Sequence, residues 1–211
     1  MKITKLGHSC LLIENGDGKI LTDPGSFSTA QSKATGVTVV LISHEHVDHF
    51  HIESLKRVLE NNLKAEVFTN RAVGKLLDKE GIRYTPLEHK HKKLVSGFLI
   101  EAYGEHHAEI LQSIPSVVNT GFLINEKFFF PGDDFYNPKR EIEVLALPVC
   151  APWLKLSEAV AYAKEVNPQI VFPIHDGMLK IFGPFYKLPE DELRKSGITF
   201  RALTNGKSIT I

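Results

Sequence analysis

The sequence predicts an α/β fold in which two β-sheets pack face to face and carry helices on their outer sides. Three observations lead to this prediction. The chain opens with short β-type segments joined by a turn, helical segments then alternate with apolar strands, and the second half repeats that order. Because the 211 residues contain no repeat of fixed period and no linker-like tract, we expect one domain spanning residues 1–211.

The first strands follow from their apolar patterns and from one turn. Strands are expected at 2–6, 10–14 and 19–21, because the segment Asn-Gly-Asp-Gly at 15–18 tolerates the positive φ angles of a hairpin turn. The β-branched run at 38–42 shows no polar alternation, which is typical of a strand covered on both faces. This strand ends directly at a segment rich in histidine.

Two helices are predicted on either side of a further strand. Apolar residues recur at helical spacing from Ile52 to Leu59. Residues 66–69 have the composition of a strand, and Asn70 then caps a second helix that Gly81 terminates.

The second half of the chain continues with strands, a helix and a buried strand. Strands are expected at 98–103, 121–124, 128–130, 144–149 and 170–174. Ser157 is expected to cap a helix that ends at Asn167-Pro168. The tail is expected to close as a hairpin of residues 199–202 and 208–211.

Charge and composition argue against several classes of partner. Lys+Arg and Asp+Glu both total 25, so the formal net charge is zero and no global field attracts nucleic acid or an anionic membrane. The two cysteines, Cys10 and Cys150, are far apart, and the apolar run near the N-terminus is too short for a signal peptide, so a cytoplasmic protein is expected. We therefore expect neither nucleic acid nor a membrane as a partner.

The most informative segment is S-H-E-H-V-D-H at 43–49, which places three imidazoles and a carboxylate directly after a buried strand. Neutral imidazole is the commonest ligand of zinc and similar ions, and a carboxylate adds charge neutralisation. On an extended segment His44 and His46 point the same way, and a following turn redirects Asp48 and His49. One loop could therefore supply ligands to two neighbouring metal ions.

Two other motifs are incomplete. His44-Glu45 begins like the zinc-protease signature H-E-x-x-H, but that signature needs a histidine at position 48, where the chain has Asp48. The segment G-H-S-C at 7–10 resembles the start of a nucleophile elbow, yet the final glycine is missing and the segment joins two predicted strands. A serine or cysteine nucleophile is therefore not predicted.

The ordered motifs resemble those of the metallo-β-lactamase-fold hydrolases, in which H-x-H-x-D-H is followed by a distant His, Asp and His. The likeness extends over nearly the whole chain. The chain is similar to the compact branch of the family, which includes ascorbate-phosphate-lactonase-like proteins. The segments that carry it are G-H-S-C at 7–10, T-D-P at 22–24, G-E-H-H-A at 104–108, F-P-G-D at 130–133, A-P-W at 151–153 and P-I-H-D at 173–176. The resemblance implies a four-layer αββα sandwich with metal ions at one edge of the two sheets.

The resemblance also implies a set of metal ligands, all of them histidine or aspartate: His44, His46, Asp48, His49, His107, Asp133 and His175. The first two would hold one ion together with His107. Asp48, His49 and His175 would hold the second ion, and Asp133 would bridge both. His106 and His107 both follow the strand at 98–103, and the similar family segment, G-E-x-H-A, favours His107.

Ligands of this kind without a thiolate suit zinc, manganese or iron, and two zinc ions are expected. A coordinated water whose pKa falls from 15.7 to about 7 would supply hydroxide as the nucleophile of a hydrolase. Asp48 is the predicted catalytic residue, because it would orient that hydroxide and pass on a proton. A ligating imidazole needs a partner for its second ring nitrogen; Asp23 is the candidate, and His8 could serve similarly.

The predicted reaction is hydrolysis of a small-molecule lactone, ester or amide. The alternative is a phosphodiesterase acting on a nucleotide or related phosphodiester, and Lys155 and Lys180, which lie near family motifs, would suit it. A metal-binding scaffold without turnover is the third hypothesis, and the presence of all seven expected ligands weighs against it.

Overall fold

A computed structural model describes residues 1–211 as two seven-stranded sheets that pack against each other, with helices on the outer face of each sheet. A cluster of 20 buried residues from both sheets fills the space between them. Within it the rings of Phe128 and Phe172 stack with their centroids 5.8 Å apart. The αββα layering predicted from the sequence is confirmed.

The first sheet contains the N-terminal strands and the last strand of the chain. Its members are β1 (Lys2–Gly7), β2 (Cys10–Asn15), β3 (Gly18–Thr22), β4 (Val39–Ile42), β5 (Glu66–Thr69), β6 (Thr85–Pro86) and β14 (Ser208–Thr210). The spatial order is β14-β1-β2-β3-β4-β5-β6. Strands β3 to β6 are parallel, whereas β14, β1, β2 and β3 pair antiparallel.

The second sheet contains the remaining strands in an arrangement that mirrors the first. Its members are β7 (Lys92–Val95), β8 (Phe98–Tyr103), β9 (Gly121–Ile124), β10 (Phe128–Phe130), β11 (Val144–Pro148), β12 (Ile170–Ile174) and β13 (Thr199–Phe200). The spatial order is β13-β12-β11-β10-β9-β8-β7, and β10 to β13 are parallel. Because the carboxyl ends of parallel strands meet at one edge, each sheet presents a row of strand ends there.

The helices cover the outer faces of the sheets. They are α1 (Ile52–Asn61), α2 (Arg71–Lys79), α3 (Leu156–Val166) and α4 (Gly183–Arg194), with a short 3₁₀ helix at Ala30–Lys33. Helices α1 and α2 pack on the first sheet, and α3 and α4 pack on the second. The Asn70 side chain caps α2 by accepting from the backbone N–H groups of Ala72 and Val73, as predicted. No helix combines the length and the apolar character that crossing a membrane requires.

The C-terminal third differs from the prediction. Helix α3 begins at Leu156 after Lys155, so Ser157 lies inside the helix instead of capping it. Helix α4 was not predicted; it has Pro184 in its first turn, where proline is tolerated, and Pro189 in its interior.

The predicted C-terminal hairpin is wrong, because β13 pairs with β12 in the second sheet and β14 pairs with β1 in the first. The turn before β14 docks on β1 instead. The Gly206 N–H donates to Lys5 O at 2.7 Å, and the Lys5 N–H donates to Lys207 O at 3.1 Å.

Candidate metal centre

The residues that the sequence singles out gather at the carboxyl edge of both sheets. Each follows the end of a strand: His8 follows β1, Asp23 follows β3, His44, His46, Asp48 and His49 follow β4, His107 follows β8, Asp133 follows β10 and His175 follows β12. The left-handed backbone angles of His8, Asp23 and His175, with φ of 43°, 35° and 57°, are unusual for residues other than glycine. Such strain, about 1–3 kcal/mol per residue, persists only where the surrounding structure holds it.

Three histidines form a first group. They are His44, His46 and His107, and one ring nitrogen from each lies within 4.8 Å of the others. His44 Nε2 is 3.1 Å from His46 Nδ1. His107 completes the group: its ring centroid lies 4.6 Å from that of His46 and 5.0 Å from that of His44. His107 is buried while His106 is exposed, so the structure brings together the histidine that the family segment favours.

Asp48, His49 and His175 form a second group next to the first, and His8 lies with them. His175 Nε2 lies 3.4 Å from Asp48 Oδ2, and His49 Nε2 lies 3.8 Å from the same oxygen. The Nδ1 of His49 donates to Asp23 Oδ2 at 2.7 Å, and the Nδ1 of His175 donates to Cys150 O at 2.6 Å. Asp23 thus makes the contact with a ring nitrogen that its predicted role requires.

Asp133 lies between the two groups. Its Oδ1 is 3.1 Å from His49 Nε2, and its Oδ2 is 2.8 Å from His175 Nε2 and 3.5 Å from His107 Nε2. The indole N–H of Trp153 donates to Asp133 Oδ2 at 3.0 Å. A carboxylate in this position can contact ions in either group.

The chemistry of these atoms fits divalent metal ions. His49 Nε2, His107 Nε2, His175 Nε2 and Asp133 Oδ1 are buried and have no hydrogen-bond partner, although several lie within 3.5 Å of one another. Buried polar atoms rarely stay unpaired. The Nδ1 atoms of these three histidines already donate to oxygen atoms, so in the neutral rings the Nε2 lone pairs face the shared space. Imidazole nitrogen with carboxylate oxygen is a donor set of zinc and related ions.

His8 lies against Asp48 at the edge of the second group. The Gly177 N–H donates to His8 Nδ1 at 3.0 Å, so we assign the proton to Nε2, which donates to Asp48 Oδ2 at 3.1 Å. Burial lowers the pKa of His8 to about 4, against an opposing contribution from Asp48. His8 therefore contacts a candidate ligand carboxylate and not the second nitrogen of a ligating imidazole.

The electrostatics of the centre keep its carboxylates charged, although burial lowers the pKa of His44 and His46. Burial opposes the charged form of His49 and His175, but Asp133 and Asp23 raise the pKa of His49, and Asp133 and Asp48 raise the pKa of His175 to about 9. Burial likewise opposes the charged form of Asp48 and Asp133, yet the neighbouring imidazoles hold the pKa of both carboxyls well below the usual range. The carboxylates are thus anionic at neutral pH and attract cations.

Sequence reasoning missed one group beneath this centre. The Lys5 ammonium is fully buried and donates to Pro173 O at 2.8 Å and to Asp176 Oδ2 at 2.5 Å, and the Tyr186 hydroxyl donates to the same carboxylate oxygen. The available signal was the alternation of β1, which directs Lys5 to the same face as the buried Ile3.

Comparison with known proteins agrees with this geometry. A family model described as a beta-lactamase superfamily domain matches residues 2–175. The chain belongs to this superfamily.

Two relatives and one solved structure illustrate the likeness within the superfamily. Protein Rv0786c of Mycobacterium tuberculosis is 34% identical over 184 residues, which cover 85% of each chain. A UPF0173 metal-dependent hydrolase of Methanocaldococcus jannaschii is 24% identical and covers 82% of this chain and 83% of its own. The metallo-beta-lactamase fold protein YhfI of Bacillus subtilis superposes with a TM-score of 0.76 at 15% identity, covering 99% of this chain and 98% of that one. The predicted metallo-β-lactamase fold is therefore confirmed.

Proposed function

We propose that this superfamily member is a binuclear zinc hydrolase that cleaves a small-molecule lactone, ester or amide. The observation that carries the proposal is the convergence of three unpartnered imidazole nitrogens and one carboxylate oxygen in a buried space. The two groups of ligand atoms, with Asp133 between them, support two ions. The metal-dependent hydrolase among the relatives supports the coarser assignment.

The residues around the site suit hydrolysis. Bound divalent ions would lower the pKa of a coordinated water to about 7 and polarise the carbonyl oxygen of the substrate. The Asp48 side chain is 17% exposed, against 2% for His175 and 3% for Asp133, so Asp48 borders the solvent side of the centre. Its Oδ2 accepts from His8, which orients the carboxylate for holding a proton during the reaction.

The charge around the site argues against the phosphodiesterase alternative. The Lys155 ammonium pairs with Glu158 at 3.1 Å on the surface, and Lys180 is exposed. The cavity beside His46 and His107 is lined by neither lysine nor arginine. A neutral carbonyl substrate suits these surroundings better than an anionic phosphodiester.

The proposal is tested first by metal content. We expect elemental mass spectrometry of protein purified without chelators to give about two zinc ions per chain, and clearly fewer in His46→Ala. His91→Ala, which removes an exposed histidine outside the centre, is the matched control and should keep the parent value. A chain that binds no metal even after reconstitution would refute the proposal.

Activity provides the second part of the test. The metal-loaded chain should hydrolyse at least one member of a panel of lactones, esters and amides, and Asp48→Asn should lower kcat by about 10²–10⁴-fold. Full activity in Asp48→Asn would contradict the role of this carboxylate.

A further inference from the structure

A cavity of about 380 Å³ opens directly beside the candidate metal centre. His46 borders this cavity, and the rest of the lining comes from the loop between β8 and β9, which contributes His107, Ile110, Leu111 and Ile114. Ligand pockets typically have volumes of about 300–1,000 Å³ and mostly apolar walls next to a few polar groups. The size and position of the cavity therefore suit part of a small substrate.

The charge of the lining indicates what kind of substrate group fits. Glu109 is the single acidic side chain among the lining residues, which include no lysine or arginine. A carboxylate or phosphate group in this lining would lose water without gaining a cationic side chain, whereas an alkyl chain would gain from leaving water.

The wall of the cavity is a built structure and not a loose loop. The His107 N–H donates to Val117 O at 3.0 Å, and the Ser116 hydroxyl donates to His107 O at 3.2 Å. The Ala108 N–H donates to Asp133 O at 2.9 Å. The loop is thus anchored to the residues that would hold the metal ions.

Apolar side chains are exposed to solvent at this same edge. Leu111 and Ile114 are 59% and 46% exposed, and Val47, between two candidate ligands, is 56% exposed. Phe27 is also exposed, and its ring lies 5.3 Å from that of His8. Leu111 and Ile114 line the cavity itself, and exposed apolar side chains in the lining of one cavity indicate a site that meets an apolar group.

We propose that the substrate is a neutral ester or lactone carrying an apolar alkyl chain, and that this chain lies in the cavity against Ile110, Leu111 and Ile114. The inference rests on the proposed hydrolase function and adds the substrate class to it. Each buried methylene should strengthen binding about threefold to fourfold until the cavity is filled.

The first test measures binding without turnover. Trp153 is the only tryptophan, and its ring lies 6.0 Å from that of His107, so its fluorescence reports on the site. Linear methyl ketones from 2-butanone to 2-octanone, which cannot be hydrolysed, should bind to the metal-loaded chain with a Kd that falls about threefold to fourfold per methylene. A Kd independent of chain length would overturn the inference.

The second test measures hydrolysis. The ratio of kcat/KM for p-nitrophenyl octanoate to that for the acetate should be high in the parent and fall at least tenfold in the double variant Leu111→Ser/Ile114→Ser. Leu63→Ser, at an exposed leucine outside the cavity, is the control and should keep the parent ratio. A second variant, Ile114→Phe, should narrow the cavity and shift the preferred chain to a shorter length.

The outcomes separate the inference from the proposed function. Hydrolysis that shows the same rate for all chain lengths would overturn the alkyl-chain site and leave the hydrolase standing. Chain-length-dependent ketone binding without hydrolysis of any ester, lactone or amide would support the alkyl-chain site and overturn the hydrolase. An altered oligomeric state of the double variant on size exclusion, with its substrate ratio unchanged, would assign the apolar residues to self-association and overturn the inference.

Discussion

Asp23 shows how a single buried side chain organises the candidate centre. Its Oδ1 accepts from the Ser43 N–H at 2.8 Å, and its Oδ2 accepts from the Ser43 hydroxyl at 2.7 Å and from His49 Nδ1 at 2.7 Å. The Ser43 hydroxyl lies in turn 2.9 Å from His44 Nδ1. One carboxylate therefore orients His49 directly and His44 through Ser43, so that both Nε2 atoms face the same space.

This arrangement predicts the effect of Asp23→Asn. An amide offers one oxygen where the carboxylate offers two, so His49 or Ser43 loses its acceptor while the volume stays the same. We expect the affinity for zinc to fall about 10- to 100-fold, measured by competition with a chromophoric chelator. Asp134→Asn, one residue from Asp133 and outside both ligand groups, should leave the affinity unchanged. Equal affinities for parent and Asp23→Asn would show that Asp23 does not support the site.

At the scale of elements, the turn after β10 illustrates how tightly the loops are built. Asn119 clamps this turn, because its Nδ2 donates to Pro131 O at 2.9 Å and its Oδ1 accepts from the Asp133 N–H at 3.0 Å. Gly132 has φ of +65°, and a Cβ there would approach Asn119 Oδ1 to 2.2 Å. Glycine is required at this position both by the backbone angle and by the lack of space.

Two alanine substitutions separate these requirements. Gly206 also has a positive φ, of 78°, but a Cβ would meet nothing within 4 Å. Gly206→Ala should therefore lower the free energy of unfolding by about 1–2 kcal/mol, for the left-handed backbone alone. Gly132→Ala should lower the free energy of unfolding by about 1–3 kcal/mol more than Gly206→Ala does, because the added Cβ overpacks the turn. It should also bind less metal, because Asp133 is displaced. Urea denaturation of the metal-free proteins provides the comparison, and equal losses would contradict the role of Asn119.

For the whole molecule, the buried pair of Lys5 and Asp176 joins the two sheets. Lys5 lies on β1 of the first sheet, Asp176 follows β12 of the second, and Tyr186 on α4 completes the network. Burial lowers the pKa of Lys5, while Asp176 opposes that shift. Because Asp176 is the residue after His175, the pair also ties the position of a candidate ligand to the packing of the sheets.

A double-mutant cycle measures this link. Removing one partner of a buried ion pair leaves an uncompensated charge. Lys5→Met or Asp176→Leu alone should therefore lower the free energy of unfolding by about 3–5 kcal/mol. The free energy of unfolding of the double variant should fall by clearly less than the sum of the two single decreases, because neither charge remains. The exposed pair of Lys187 and Asp191, 2.8 Å apart, is the matched control, and its coupling should stay below about 1 kcal/mol. Additive losses at Lys5 and Asp176, measured by denaturation of the metal-free chain, would show that the pair does not couple the sheets.

The sequence by itself predicted the fold class, most elements of the first half and the ligand-rich segment at 43–49, whereas β6, β7 and the 3₁₀ helix were not predicted. Strands β5, β8, β9, β10 and β12 have the predicted bounds, and α2 has the predicted cap. These features are encoded locally, since hydrophobic periodicity, a capping side chain and a dense set of metal ligands can all be recognised within short segments. The family resemblance added the distant ligand candidates His107, Asp133 and His175.

Only the tertiary structure decided the contacts between distant segments. It assigned β13 and β14 to different sheets, placed His8 against Asp48 and brought Trp153 to Asp133. Lys5 and Asp176, 171 positions apart, likewise meet through the packing of one sheet on the other. Such contacts depend on which faces pack together and on where each buried donor finds an acceptor, and no local pattern in the chain specifies either.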